Sequence, residues 1–317
     1  MLNENTPIKE VDIKMLDVHA AIKTDILESD LFVKKKVSVS VLRIDQIHPV
    51  VSGNKLFKLH YFLQEALTRS CRTIISFGGP YSNHLLATAF ACRSAGLRTI
   101  GIVRGEEPAL LSSTLQQCLG YGMELKFISR ENYALKDDPL FIRDLLAAHD
   151  NYLIIPEGGF HPNGARGAAL IMDTVNNNKY SHICTATGTA TTLAGLLMGT
   201  RNDQSVIGIP VLKGLADLPE RIVYLTGKNM EHKRPWILDE CHFGGYAKRT
   251  PGLIQFMNDC WQQFHLPLDF VYTAKMFYAV MEAIRSGQFE TGSNILCLHT
   301  GGLQGNDSLP TGTLLFQ

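Results

Sequence analysis

Thr73-Ile74-Ile75-Ser76-Phe77-Gly78-Gly79-Pro80-Tyr81-Ser82-Asn83-His84 is the stretch that decides the fold class of this 317-residue chain. Its first five residues read as a strand, rich in β-branched and aromatic side chains. Two glycines stop the strand, and Ser82 stands where an N-cap belongs, ahead of a helix over 83–95 that Gly96 ends. Downstream, strands over 99–103, 124–128, 152–155, 182–187, 206–211 and 294–299 are interspersed with helices over 111–121, 139–149, 163–176, 190–200, 250–264 and 273–287. Upstream, Leu56, Leu59, Leu63, Ala66 and Leu67 form a helical apolar stripe that begins just after Lys55. Strands alternating with helices mean an α/β fold of open, mostly parallel sheets joined by crossover helices. At roughly 150 residues per domain, the length suggests about two domains.

Composition narrows the function. Thirty basic and thirty acidic side chains cancel, which argues against a general grip on nucleic acid or on anionic membrane. No apolar run approaches the ~18 residues of a membrane span, and Met1-Leu2-Asn3-Glu4-Asn5 lacks the charged-then-apolar order of a signal peptide. The seven cysteines are scattered without a CxxC pair, so neither zinc ribbons nor redox dithiols are indicated and no metal is expected. These features predict a folded cytoplasmic protein whose partner is a small molecule.

The glycines say where that molecule goes. Four strands run into glycine loops: Phe77-Gly78-Gly79, Glu157-Gly158-Gly159, Thr187-Gly188-Thr189 and Thr300-Gly301-Gly302. Any one of them alone reads as a turn. Four at strand carboxyl ends, where open α/β sheets bind ligands, favour a ligand crevice. Gly188-Thr189-Ala190-Thr191-Thr192 lies between a strand and a helix start, so its amides and hydroxyls suit a phosphate. Neither GxxxxGK[ST] nor GxGxxG is present, which leaves a small phosphate-bearing cofactor.

Three stretches carry candidate chemistry. In Ser52-Gly53-Asn54-Lys55-Leu56-Phe57-Lys58-Leu59, Lys55 is expected in the turn that feeds a buried helix, with Lys58 one turn later on nearby surface. A lysine is ordinarily a solvated charge, but one set among apolar neighbours can have a depressed pKa and condense with an aldehyde. Ser82 can be a plain helix cap, or a group aimed at a substrate carboxylate beside free helix amides. Tyr272, in Phe270-Val271-Tyr272-Thr273-Ala274-Lys275, can be a packing residue or an active-site phenol.

Taken in order, Gly53-Asn54-Lys55-x-x-Lys58-Leu59, Gly78-Gly79-x-x-Ser82-Asn83, Thr187-Gly188-Thr189, Val271-Tyr272-Thr273-x-Lys275 and Gly301-Gly302 resemble the D-cysteine desulfhydrase/1-aminocyclopropane-1-carboxylate deaminase family. These are pyridoxal-phosphate enzymes of the tryptophan synthase β-subunit fold type (fold type II), and the resemblance covers about residues 40–305. It implies that Lys55 carries pyridoxal 5'-phosphate covalently and that Asn83 bonds the cofactor's ring hydroxyl. It further implies that Lys58 and the backbone from Gly188 through Thr189, Ala190 and Thr191 to Thr192 hold the phosphate. Ser82 would meet the substrate carboxylate or a migrating proton, and Tyr272 the side-chain end of the substrate. Tyr246 resembles a second such tyrosine in a different neighbourhood, and the role of His84 stays open. A homodimer is implied as well.

Members that open cyclopropane rings are expected to carry a glutamate after the tyrosine and a leucine before the last glycine pair. Thr273 and Thr300 stand there instead, and one of them is expected to face the pyridine nitrogen. A neutral hydroxyl stores less carbanion charge on the ring than a glutamate would, which suits β-elimination of a good leaving group. The resemblance therefore implies a lyase converting D-cysteine or a related β-substituted amino acid to pyruvate, ammonia and sulfide. A cyclopropane-carboxylate deaminase is the alternative, and a cofactor-binding protein without turnover is a third reading. The expected architecture is a small domain, 57–162, inserted into a large one made of 1–56 and 163–317, with the cofactor between them.

Overall fold

The structure is a computed structural model describing residues 22–227 and 233–317. The Met1–Asn5 stretch read for targeting lies outside the described residues, as do the rest of the first 21 positions and residues 228–232. In chain order the strands are β1 (Thr24–Leu27), β2 (Ser38–Leu42), β3 (Thr73–Gly78), β4 (Arg98–Arg104), β5 (Met123–Ile128), β6 (Tyr152–Ile155), β7 (His182–Thr187), β8 (Ser205–Pro210), β9 (Trp236–Ile237) and β10 (Asn294–Leu298). The helices are α1 (Asp30–Lys35), α2 (Asn54–Thr68), α3 (Asn83–Ser94), α4 (Ser113–Gly120), α5 (Arg130–Ala134), α6 (Pro139–Leu145), α7 (Pro162–Ala169), α8 (Thr191–Gly199), α9 (Leu218–Thr226), α10 (Pro251–Phe264) and α11 (Thr273–Arg285).

The strands make two sheets, ordered β1-β2-β10-β7-β8-β9 and β5-β4-β3-β6. Among the described residues only β1 runs antiparallel to its neighbour; all other pairs are parallel. The expected α/β fold with mostly parallel sheets is therefore observed. The smaller sheet comes from one continuous stretch of chain, and it interrupts the larger sheet between β2 and β7.

Alternating side chains of the large sheet go to two different cores. Ile183 and Leu296 join Leu56, Phe57, Ile74, Ile155 and Leu193 in a core that reaches both sheets. Cys184 and Cys297 face the other way, onto Met257 of α10 and Phe277 of α11. A parallel sheet covered on both faces explains the near-continuous apolar strands. Six of the seven cysteines are buried and all are free thiols, as expected of small core hydrophobes.

Helix α7 joins the two ends of the site. Pro162 starts it at N1, and its sequence, Pro-Asn-Gly-Ala-Arg-Gly-Ala-Ala, is made mostly of small residues. A Cβ on Gly167 would stand 2.0 Å from the Phe57 carbonyl oxygen, so α2 approaches at backbone contact. On its other side α7 packs against α8, where a Cβ on Gly195 would meet the Ala168 methyl at 2.5 Å. The helix expected over 163–176 breaks at this contact: its α-helical part ends at Ala169 and Leu170–Thr174 continue as a 3-10 turn. The helix expected over 139–149 likewise stops at Leu145.

Candidate active site

Gly53 fixes the start of α2. Its φ of 67° is left-handed, and a Cβ there would lie 2.0 Å from the Thr300 carbonyl oxygen, so only glycine fits. The contact seats α2 against the Thr300-Gly301-Gly302 loop that leaves β10. Lys55, expected in the preceding turn, is instead the second residue of α2. Its Nζ donates to Asn54 Oδ1 at 2.6 Å, and Asn54 Nδ2 donates to Thr192 Oγ1 at 2.7 Å. Asn54 thus bridges the lysine to the start of α8. Burial brings the Lys55 ammonium down to about 8, with the Asp269 carboxylate pulling the other way. Such an amine is free base far more often at neutral pH than an ordinary lysine, which makes it a usable nucleophile.

Lys58 corrects an expectation: it is not on the surface but 5% exposed, donating to the Gly158 carbonyl at 3.1 Å. Burial, then the charge of Lys55, push its ammonium pKa well down. The next loop closes the ring. Ala190 takes a left-handed φ of 67° ahead of α8, and the Thr189 and Thr191 hydroxyls lie 2.9 Å apart. A Cβ on Gly158 would touch Thr189 at 3.0 Å. Lys58, Gly158 and the Gly188–Thr192 loop therefore meet at the amino end of α8. The first amides of a helix have no intrahelical acceptor and carry its positive end, so this corner suits a phosphate.

Ser82 is the N-cap of α3, with Oγ accepting from Leu85 N at 3.2 Å. Among the described residues nothing takes its hydroxyl proton, so capping leaves the donor free. Behind it, Asn83 Oδ1 and both ring nitrogens of His84 are buried without a hydrogen-bond partner.

The wall opposite is built on Asp269, which the sequence reading missed. This fully buried carboxylate accepts from Val271 N and Tyr272 N on Oδ2 and from Thr273 N and Thr273 Oγ1 on Oδ1, at 2.7–2.9 Å. An aspartate just ahead of a helix start is the signal that could have found it. Thr273 is consequently engaged, whereas the Thr300 hydroxyl has no described partner. Tyr272 packs over Gly188, whose added Cβ would lie 3.6 Å from its ring. Its hydroxyl is 3.4 Å from that of Tyr246. Burial raises both phenols, so each is a neutral donor. Lys275, fully buried, donates to the Gly245 carbonyl at 2.6 Å and ties the Tyr246 loop to α11.

The chain matches the pyridoxal-phosphate dependent enzyme family over residues 20–301. It belongs to that family. A Pyrococcus abyssi protein named "Putative 1-aminocyclopropane-1-carboxylate deaminase" is 31% identical over 285 residues, 85% of this chain and 86% of that one. The Arabidopsis thaliana mitochondrial bifunctional D-cysteine desulfhydrase/1-aminocyclopropane-1-carboxylate deaminase is 27% identical over 289 residues, 80% and 70% of the two chains. A solved ACC deaminase homologue superposes with a TM-score of 0.77 at 28% identity, covering 90% of each chain. A hydrogen sulfide-producing enzyme of Fusobacterium nucleatum shares the fold, with a TM-score of 0.69 at 14% identity over 93% of this chain and 98% of that one.

The protein is thus an enzyme of the deaminase/desulfhydrase group that uses pyridoxal phosphate, and its site fits that cofactor. A desolvated amine on Lys55, a corner of N–H donors at the amino end of α8, and orphaned buried polar atoms on Asn83 and His84 are what an aldehyde, a phosphate and a ring with polar substituents require. No helix among the described residues is long and apolar enough to cross a membrane.

Proposed function

We propose that the protein is a lyase acting on D-cysteine or a related β-substituted amino acid, releasing pyruvate, ammonia and sulfide. The observation that carries this reading is the pair of threonines. Thr273 is held by Asp269, and Thr300 remains as a neutral donor beside Gly53 at the start of α2, where a ring-opening site is expected to carry other residues. In the net reaction the Cα–H and Cβ–S bonds break, water converts the carbon product to pyruvate and ammonia, and sulfur leaves as sulfide.

Pyridoxal phosphate supplies an electron-accepting ring for the charge left at Cα. Lys55 would hold the cofactor, and its amine is the group that would move the Cα proton. Ser82 and the first amides of α3 receive the substrate carboxylate, and Asn83 orients the ring hydroxyl. Lys58 and the Gly188–Thr192 loop anchor the phosphate, and Thr300 donates to the ring nitrogen. Tyr272, with Tyr246 beside it, donates toward the leaving group. The α2, α3 and α8 starts converge from two sheets, which supports 57–162 closing as one domain on the remainder to exclude water. The resemblance supports a homodimer, and seven free thiols support a cytoplasmic location.

The names of the relatives favour a second reading, opening of 1-aminocyclopropane-1-carboxylate. Pyruvate release from D-cysteine, L-cysteine and the cyclopropane substrate separates the two. D-cysteine is expected to lead in kcat/KM, and a leading cyclopropane substrate would replace the first reading with the second.

A further inference from the structure

We propose that His84 is a ligand of the cofactor's phosphate, its imidazole N–H closing the anion cradle begun by Lys58 and the amino end of α8. The inference rests on the phosphate-anchoring roles given to those groups above. His84 is the second residue of α3 and only 4% exposed, yet neither ring nitrogen has a hydrogen-bond partner among the described residues. The Pro156 carbonyl faces the ring but outside hydrogen-bond geometry. A core histidine normally satisfies at least one nitrogen, because a buried polar group left without a partner costs free energy. Helix capping does not explain it either, since Ser82 already performs that task.

The ring's place is fixed by the glycine loop after β6. A Cβ on Gly159 would lie 3.5 Å from Lys58 Cβ and 3.8 Å from His84 Cε1, so lysine stem and imidazole pack side by side over one residue. The preceding residue, Gly158, accepts from Lys58 Nζ and touches Thr189. His84 is therefore contiguous with the corner where α8 begins. Burial, followed by the charges of Lys55 and Lys58, holds its pKa down to about 3. A neutral imidazole carries one donor and one acceptor. Beside Lys58 and in the field of Lys55, the ligand that complements both that field and the free N–H is an anionic oxygen. Phosphate is the anion the cradle is shaped for.

Pyridoxal phosphate and pyridoxal share ring and aldehyde and differ in the phosphate, so they separate this role from a packing role. Binding of each to cofactor-free protein is followed by absorbance, with melting temperature as a second readout. His84→Leu should weaken pyridoxal phosphate by roughly 10-fold or more while pyridoxal changes less than about 2-fold. The cofactor-free variant should melt no lower than wild type, because an unpartnered polar group has been removed, and the rise in melting temperature on adding pyridoxal phosphate should shrink. His84→Gln, which keeps a donor, should recover part of the loss. Should His84→Leu fold poorly, the contrast between His84→Gln and His84→Met serves instead. Equal weakening of both ligands, or no weakening of either, would overturn the assignment. Wild-type preference for pyridoxal phosphate over pyridoxal tests the cradle itself, so failure of the cradle and failure of His84 are told apart.

Discussion

On the Lys55 side of the site, Asn54 bridges Lys55 to Thr192, Asp269 gathers three amides and the Thr273 hydroxyl, and Lys275 holds Gly245. On the Ser82 side, Asn83 Oδ1 and both nitrogens of His84 are buried with nothing to bond. The first region is organised by its own hydrogen bonds before any ligand arrives. The second keeps polar atoms in reserve for one. Substitutions in the framework that surrounds Lys55, at Asn54, Asp269 or Lys275, should therefore disturb structure, whereas those at Lys55 itself and on the Ser82 side should disturb chemistry and binding far more than the fold.

Lys55→Met should sharpen the contrast most, with turnover lost by roughly 10³-fold or more and the fold retained, because removal of a covalent group affects every step that uses it. Next, Ser82→Gly keeps most of the capping but removes the hydroxyl, and kcat/KM should fall by roughly 10²-fold. An unchanged rate with normal cofactor binding would reduce Ser82 to a helix cap. Asp269→Ala should cost about 3 kcal/mol in urea unfolding, since it leaves the Thr273 hydroxyl and three amides without their acceptor. A loss under about 1 kcal/mol would show that the wall does not depend on it.

The smallest effect is on pH. With the Lys55 amine near 8, its free-base fraction grows about tenfold per pH unit below that value and levels off above it. Trapping of pyridoxal phosphate by borohydride in cofactor-free protein should rise with the same midpoint. A midpoint near the ordinary lysine value would mean that the site is not desolvated.

The difference between the two sides also marks what could be read in the sequence. The Lys55, Ser82 and glycine-loop stretches were legible because each change from strand to loop to helix is local: Gly53, Gly78-Gly79 and Ser82 act on their immediate neighbours. Strand β2 was not, although Ser38-Val39-Ser40-Val41 alternates, because the pairing that makes it a central strand comes from β10, remote in the chain. Lys58 reads as a surface charge from its position alone; Gly158 and α8, which bury it, are supplied by tertiary folding. Asp269 belongs to the same class, as its value lies in four hydrogen bonds that exist only once α11 has begun. The break after Ala169 was hidden because the close packing of α7 and α8 leaves no mark in helical periodicity.

Among the described residues four buried or partly buried lysines, Lys55, Lys58, Lys233 and Lys275, have lowered pKa values, and of these only Lys55 makes its hydrogen bond to a movable side chain rather than to a backbone carbonyl. Borohydride reduction of the holoenzyme, followed by peptide mapping, asks which of them carries the cofactor. We expect the label on the peptide containing Lys55; label on Lys58 or Lys275, or a protein that stays colourless when supplied with pyridoxal phosphate, would contradict the assignment.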